Sequence, residues 1–244
     1  MGAPLAARAG GDLLRVSYND DYAPYSYTEA PEGAVLGVLP QVLQLAFGLA
    51  LPGLRLEHTA RPWRRAQSRV ESGQADALCT FASDDRRRYA LFNRVPVVTL
   101  EPHLFFSAAH PRRRELEQLT SRDALKAFRL VDQRGNQWAE QQFADFPNVE
   151  WVTSHDASYR MVLSGHVDVH VVLSPLVTLW RLRKLNLHQA IVSAPAPFVA
   201  PAVPFHLGIR KALPQAQPWL DALDGQLQQP RVRERVQAIE RGFM

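Results

Sequence analysis

RPWRRAQSRVESGQADALCTFASDDRRRYALF, residues 61–92, decides the fold, because a shorter copy of its pattern, RMVLSGHVDVHVVLS, occupies residues 160–174. In both stretches an amphipathic helical segment runs into Ser-Gly, at Ser72-Gly73 and Ser164-Gly165. Two residues pass, and an aspartate, Asp76 or Asp168, opens a short apolar run. Glycine tolerates the left-handed backbone conformation in which a helix ends and the chain reverses. The runs that follow, ALCTF and VHVVL, are as short and apolar as parallel strands buried on both faces. Helix, tight turn and buried strand make half of a βαβ unit, so one unit used twice predicts two α/β lobes.

Upstream of the first copy, LLRVSY (residues 13–18) reads as a strand, NDDYAPYSY as a polar and aromatic loop, and EGAVLG as a turn closed at Gly33 and Gly37. Residues 39–49 carry helical spacing, residues 54–59 alternate as a strand, and Pro62 stands where a helix over 63–70 begins. With a strand over 77–81 the first lobe is βαβαβ. Beyond Phe92 comes an extended apolar passage, VPVVTLEPHLFFSA, and then the charged HPRRRELEQLTS, a composition shift that marks a crossing between lobes. The second lobe then alternates helix 122–127, strand 128–132, loop QRGNQ, a helix to about residue 143, strand VEWVT, helix 155–164, strand 168–173, helix 176–184 and strand HQAIVSA. Pro195, Pro197, Pro201 and Pro204 break regular structure before a return strand, VPFHLGI. Helices over 214–228 and 231–241 close the chain. The expected architecture is α/β, each lobe a mostly parallel sheet flanked by helices. Residues 12–105 with 203–244 form the first lobe and 106–202 the second, joined by two hinge strands.

At 244 residues and 46% apolar content the chain can fill two cores. The formal charge of +4 comes almost wholly from arginine, with Lys126, Lys184 and Lys211 the only lysines. The arginine pairs and triplets are scattered and interleaved with acids, not gathered with aromatics, which argues against nucleic-acid binding. The single Cys79 lies in an apolar strand and forms no internal disulfide. The eight histidines show no metal-site spacing, and no cofactor motif is present. No apolar run is long enough to span a bilayer, and MGAPLAARAGGD does not read as an intact signal peptide.

Taken together, LLRVSYNDDYAPYSY, EGAVLGVLPQVLQLA and the quoted 61–92 stretch resemble, in order and over nearly the whole chain, the bacterial extracellular solute-binding proteins of the polar amino-acid type. These are the two-lobed (type II) periplasmic binding proteins of ABC importers. PWRRAQ resembles their divergent members. The resemblance implies a non-catalytic periplasmic protein that captures a small polar or carboxylate-bearing ligand by hinge closure and presents it to an ABC permease. A ligand-sensing role for a membrane-bound signalling protein is the alternative, and an enzyme on the same fold a lesser one. A monomer without cofactor is expected.

Carried residue by residue, the resemblance reads the segment SDDRR as the family's arginine loop and puts Arg86 where a guanidinium fork pairs with the ligand carboxylate. Which of Arg86, Arg87 and Arg88 faces inward is left open, because the segment 76–83 is two residues shorter than the family pattern. Tyr22 and Trp63 fall where aromatics sandwich the ligand. Asn19, Thr80 and Ser83 fall at hydrogen-bonding positions. Gly135, Asn136 and Gln137 fall where a second-lobe loop enters a helix with free N–H groups, with Arg134 beside them. The chain departs from the family at Leu173, which stands where an acid receives the ligand ammonium, and at Asn19, which replaces an acid of the opening loop. Since a buried ammonium without a carboxylate is costly, the expected ligand lacks that ammonium unless Asp20, Asp21 or Asp156 substitutes.

Overall fold

The structure is a computed structural model describing residues 12–30 and 32–243, the side chain of Gln137 excepted. The chain opens with β1 (Leu13–Asn19), a short hairpin of β2 (Asp21–Tyr22) and β3 (Ser26–Tyr27), and α1 (Val38–Ala50). β4 (Arg55–Arg61), α2 (Trp63–Glu71), β5 (Ala77–Thr80), α3 (Asp84–Tyr89), β6 (Ala90–Phe92) and β7 (Val98–Leu100) follow. Next come β8 (His103–Ser107), α4 (Arg113–Glu117), α5 (Arg122–Leu125), β9 (Leu130–Gln133), α6 (Gln137–Gln142) and β10 (Val149–Val152). α7 (His155–Leu163), β11 (Val169–Val172), α8 (Pro175–Lys184) and β12 (Ile191–Pro195) continue the chain, which ends in β13 (Val203–Arg210), α9 (Ala216–Leu227) and α10 (Pro230–Arg241).

Two compact units result. One holds the described residues up to Val98 together with Phe205–Gly242, and the other holds Thr99–Pro204. The sequence reading placed these breaks after residues 105 and 202. The first falls earlier because β8 pairs along its length with β12 in the second unit's sheet.

The first unit's sheet has the order β4-β1-β5-β13-β6, with β7 joined to β13. β4, β1 and β5 are parallel, β13 runs against β5, and β6 runs against β13. The second unit repeats the plan as β10-β9-β11-β8-β12, with β8 the one strand opposed to its neighbours. In each path the strand that first enters the unit after a crossing is therefore the antiparallel one, and the others share a direction. Helices cover the sheets because their apolar positions recur at helical spacing. On α1, for instance, Val38, Leu39, Val42, Leu43, Ala46 and Phe47 are all buried. In the second unit the two sheet faces bury separate clusters, one around Leu104, Phe106, Leu130 and Val169, the other around Phe105, Val131, Tyr159 and Leu182.

Two elements depart from the sequence reading. The segment read as an arginine loop contains α3, capped by Ser83, with Asp84 and Asp85 in its first turn and Arg86, Arg87 and Arg88 in its last. That charge order suits the helix dipole. Within the charged crossing segment, α4 is tied by Arg113 to Glu117 at 2.7 Å.

The repeated aspartates explain the repeated plan. Asp76 accepts from the backbone N–H of Arg15 at 3.1 Å and from its guanidinium at 2.9 and 3.0 Å. Asp168 accepts from the backbone N–H of Arg129 at 2.7 Å and from its guanidinium at 3.3 and 3.0 Å. In return the N–H of each aspartate donates to the carbonyl of the same arginine, both at 2.8 Å. The preceding turns match as well, with Gly73 at φ 82° and Gly165 at φ 70°. The SGxxD pattern is thus a reciprocal clamp that fastens the start of a new strand to the start of its parallel neighbour. Burial alone would raise both carboxyls, but the arginines outweigh it: Asp76 is held below the usual carboxylate range and Asp168 is brought down to about 2.

A different carboxylate is strained by burial. Asp132 and His170 are each 1% exposed, with Asp132 Oδ2 3.8 Å from His170 Nε2 and without a hydrogen-bond donor among the described residues. Burial pushes Asp132 up to about 6, although Asn136 and the N–H of Gln133 favour its charged form, and drives His170 down to about 3.

Two outcomes follow for stability. Asp76→Ala and Asp168→Ala should each cost about 2–3 kcal/mol in urea titrations, since each strips an arginine of its partner and leaves a backbone N–H unsatisfied. Because both folded pKa values lie below the unfolded one, the clamp contribution is complete above about pH 4 and is lost only as pH falls towards the folded value. Asp132→Asn should do the opposite. A folded pKa raised to about 6 means that wild-type stability from this site is present in acid and lost as pH rises through that value. The variant should therefore gain on the order of 1–3 kcal/mol over wild type at pH 8, about half of that at pH 5, and little below about pH 4.

Candidate functional site

In open α/β sheets, ligands gather outside the carboxyl ends of the parallel strands. In the first unit those ends are Asn19 of β1, Thr80 of β5, and Arg61 of β4, from which Pro62 leads directly to Trp63, the first residue of α2. The hairpin β2–β3 folds back over the same edge. Ser26 Oγ donates to the carbonyl of Asn19 at 2.9 Å, and the amide N–H groups of Val38 and Leu39 at the start of α1 donate to the carbonyls of Pro24 and Tyr25 at 2.9 Å each. Gly37, at φ 124°, permits this approach, because a Cβ there would lie 2.5 Å from the Pro24 carbonyl oxygen.

These segments enclose a cavity of about 200 Å³. Asn19, Tyr22, Trp63 and Thr80, four of the residues singled out in the sequence, line it together. Sequence reasoning missed the rest of the wall: Phe81 and Phe205, with Ser26, Leu39 and Cys79 completing it. Phe205 carries no local signal. It arrives because β13 pairs antiparallel with β5, His206 opposite Thr80, which sets its ring 6.4 Å from Phe81 and 6.3 Å from Tyr22. β13 is in turn fixed by Asn93, whose Oδ1 accepts from the Leu207 N–H at 2.8 Å while its Nδ2 donates to the buried Asp224 at 2.9 Å. Tyr22 stacks on Tyr25 with ring centres 5.4 Å apart. Cys79 is buried in the wall, and burial pushes its thiol up, away from the reactive thiolate. Among the described residues, no charged side chain lines the cavity. Asp20 and Asp21 are not among its walls, and Asp156 is exposed in the first turn of α7 in the other unit.

Ser83 and Arg86 are not brought to this cavity. They line a separate open groove of about 520 Å³ beside α2 and α3, with Gln67, Glu71, Asp85 and Arg88. Ser83 Oγ is used as the cap of α3, accepting from the Arg86 N–H at 3.4 Å. Arg86 is nevertheless the buried member of its triplet, at 8% exposure, whereas Arg87 and Arg88 are exposed. Its Nε donates to Gln67 Oε1 at 2.9 Å and Nη1 to the Phe81 carbonyl at 3.1 Å. The guanidinium lies 4.3 Å from the Phe81 ring centre and 5.3 Å from that of Trp63, both rings of the cavity wall. Among the described residues no carboxylate lies within ion-pairing distance of it, and burial lowers its pKa.

In the second unit the loop before α6 differs from the expected nest of free donors. The Gly135 N–H donates to Glu140 Oε1 at 2.9 Å, so this unit's own carboxylate takes the anion's place. Asn136 is turned inward, its Oδ1 accepting from the Ala139 N–H at 3.4 Å and its Nδ2 donating to Asp132 at 2.9 Å. The Gln137 side chain lies outside the described residues. Arg134 Nη2 reaches the Trp151 carbonyl at 3.5 Å. Among the described residues, no group of three or more His, Cys, Asp or Glu side chains is placed to hold a metal, and no helix is long and apolar enough to cross a membrane.

No family model and no curated protein matches the sequence. Solved structures do match its fold. An ancestral cationic amino-acid solute-binding protein, AncCDT-1, aligns over 95% of this chain and 95% of its own at 20% identity, with a TM-score of 0.70. A second structure of that ancestor is described as a precursor of cyclohexadienyl dehydratase. A histidine kinase sensor domain with similarity to periplasmic binding proteins aligns over 95% and 96% at 17% identity, TM-score 0.63. The amino-acid ABC transporter substrate-binding protein AbpA of Streptococcus pneumoniae, bound to L-arginine, aligns over 95% and 94% at 18% identity, TM-score 0.61. This chain therefore has the two-lobed α/β fold of the periplasmic-binding-protein type.

Proposed function

We propose that the protein is a non-catalytic solute-binding protein of the periplasm that captures a small polar or carboxylate-bearing ligand. The observation that carries this reading is the convergence of Asn19, Tyr22, Trp63 and Thr80, from four separate segments, on one cavity at the carboxyl edge of a parallel sheet. Such a recess, mostly apolar with a few polar groups, is the common form of a small-molecule site. Arg86, buried beside it without a carboxylate in ion-pairing distance among the described residues, is the proposed counter-charge for an anionic group, because a buried cation gains most from a ligand that neutralises it. Hinge closure completes capture in this proposal, and an ABC permease receives the ligand.

The likeness to a histidine kinase sensor domain, and to the VFT2 domain of Bordetella pertussis BvgS, favours a second reading in which the same capture informs a membrane-bound sensor. An enzyme needs a positioned acid or base. The cavity wall offers Asn, Ser, Thr, aromatic groups and a buried thiol instead, which supports binding over turnover.

A thermal-shift screen against amino acids, polyamines, sugars and organic acids tests this reading, since a ligand of the folded state raises Tm by mass action, about 2.7 kcal/mol of stabilisation at a hundredfold excess over Kd. At least one solute should raise Tm in the wild type and lose at least tenfold in affinity in Trp63→Ala. No response from any solute class would contradict the proposal.

A further inference from the structure

We infer that the first-unit cavity selects a compact ligand with a flat apolar body and no positive charge, an arylalkanoate in preference to any ammonium-bearing analogue, and that Arg86 is the residue that excludes cations. The inference rests on the solute-binding reading and narrows it to a ligand class.

The shape follows from the walls. Tyr22, Trp63, Phe81 and Phe205 present rings, and the polar side chains among them, Asn19, Ser26 and Thr80, are neutral. Ring faces favour a planar partner through offset or edge contacts. About 200 Å³ compares with the roughly 150 Å³ apolar cavity that accommodates benzene, so one ring with a short arm fits.

The charge follows from Arg86. Aromatic faces ordinarily attract cations, but here Trp63 and Phe81 already face a guanidinium, at 5.3 and 4.3 Å. That guanidinium cannot be deprotonated at any relevant pH, is fixed by Gln67 and the Phe81 carbonyl, and has no carboxylate within ion-pairing distance among the described residues. A second cation against the same rings would meet a like charge with no acid in the wall to offset it. A carboxylate there would gain from the same guanidinium, which Asp85 attracts only from beyond ion-pairing distance.

Titration calorimetry with four probes decides the matter: 3-phenylpropanoate, L-phenylalanine, phenethylamine and L-arginine. The first two differ only by the ammonium group. The expected order is phenylpropanoate tightest, phenylalanine at least about tenfold weaker, and no measurable binding of phenethylamine or arginine. Arg86→Gln should weaken phenylpropanoate and bring its ratio to phenylalanine towards one, whereas Arg86→Lys, which keeps the charge, should retain the discrimination. Arginine, phenethylamine or phenylalanine binding as tightly as phenylpropanoate to the wild type would overturn the inference, a result that needs no variant to fold. If some cationic or zwitterionic solute binds and is lost in Trp63→Ala, the ligand class is wrong and the binding function stands. If no solute of any class binds, both are wrong.

Discussion

The structure depends on one interaction made twice: an aspartate that opens a buried strand grips the arginine at the start of the neighbouring parallel strand, through both its backbone N–H and its guanidinium. Parallel strands lack a tight turn to set their register, so something else must fix it. The clamp fixes it at the amino ends of the strands, where Asp76 joins β5 to β1 and Asp168 joins β11 to β9. Because the amino ends are locked, the carboxyl ends emerge together at the opposite edge. That edge is where the first unit gathers the side chains of its cavity.

The cavity inverts a familiar economy of charge. Proteins usually pair their cations or leave them in water, yet Arg86 is withdrawn among rings and carbonyls with no carboxylate within ion-pairing distance among the described residues. Meanwhile the second unit satisfies its own loop donors with Glu140 and Asp132. The buried guanidinium without a directly paired carboxylate among the described residues lies with the first unit, next to an aromatic recess, and this asymmetry gives the functional reading its direction.

Much of this was legible in the sequence because it is local. The Ser-Gly-x-x-Asp repeat, the helical spacing of α1 and Pro62 before α2 each speak through neighbouring residues, whereas Asn19, Tyr22, Trp63 and Thr80 were offered by the family resemblance. Helix α3 was legible as well, in a Ser cap followed by two acids and three arginines, but a resemblance to a loop overrode that signal. What stayed hidden depends on distant pairing. Phe205 joins the wall through an antiparallel register with β5 over a hundred residues away, and the direction of the Arg86 side chain follows from its bond to Gln67 of α2. The Gly135 loop misled for a similar reason, since nothing in its own residues says that Glu140 folds back onto it.

The most direct test of the central claim is a crystal structure of the protein grown with 3-phenylpropanoate. The ring of that ligand should lie between Trp63 and Tyr22, within reach of Thr80, with its carboxylate on the side of Arg86. Ligand density bound only in the groove beside α2 and α3, or an ordered cation against Trp63, would contradict it.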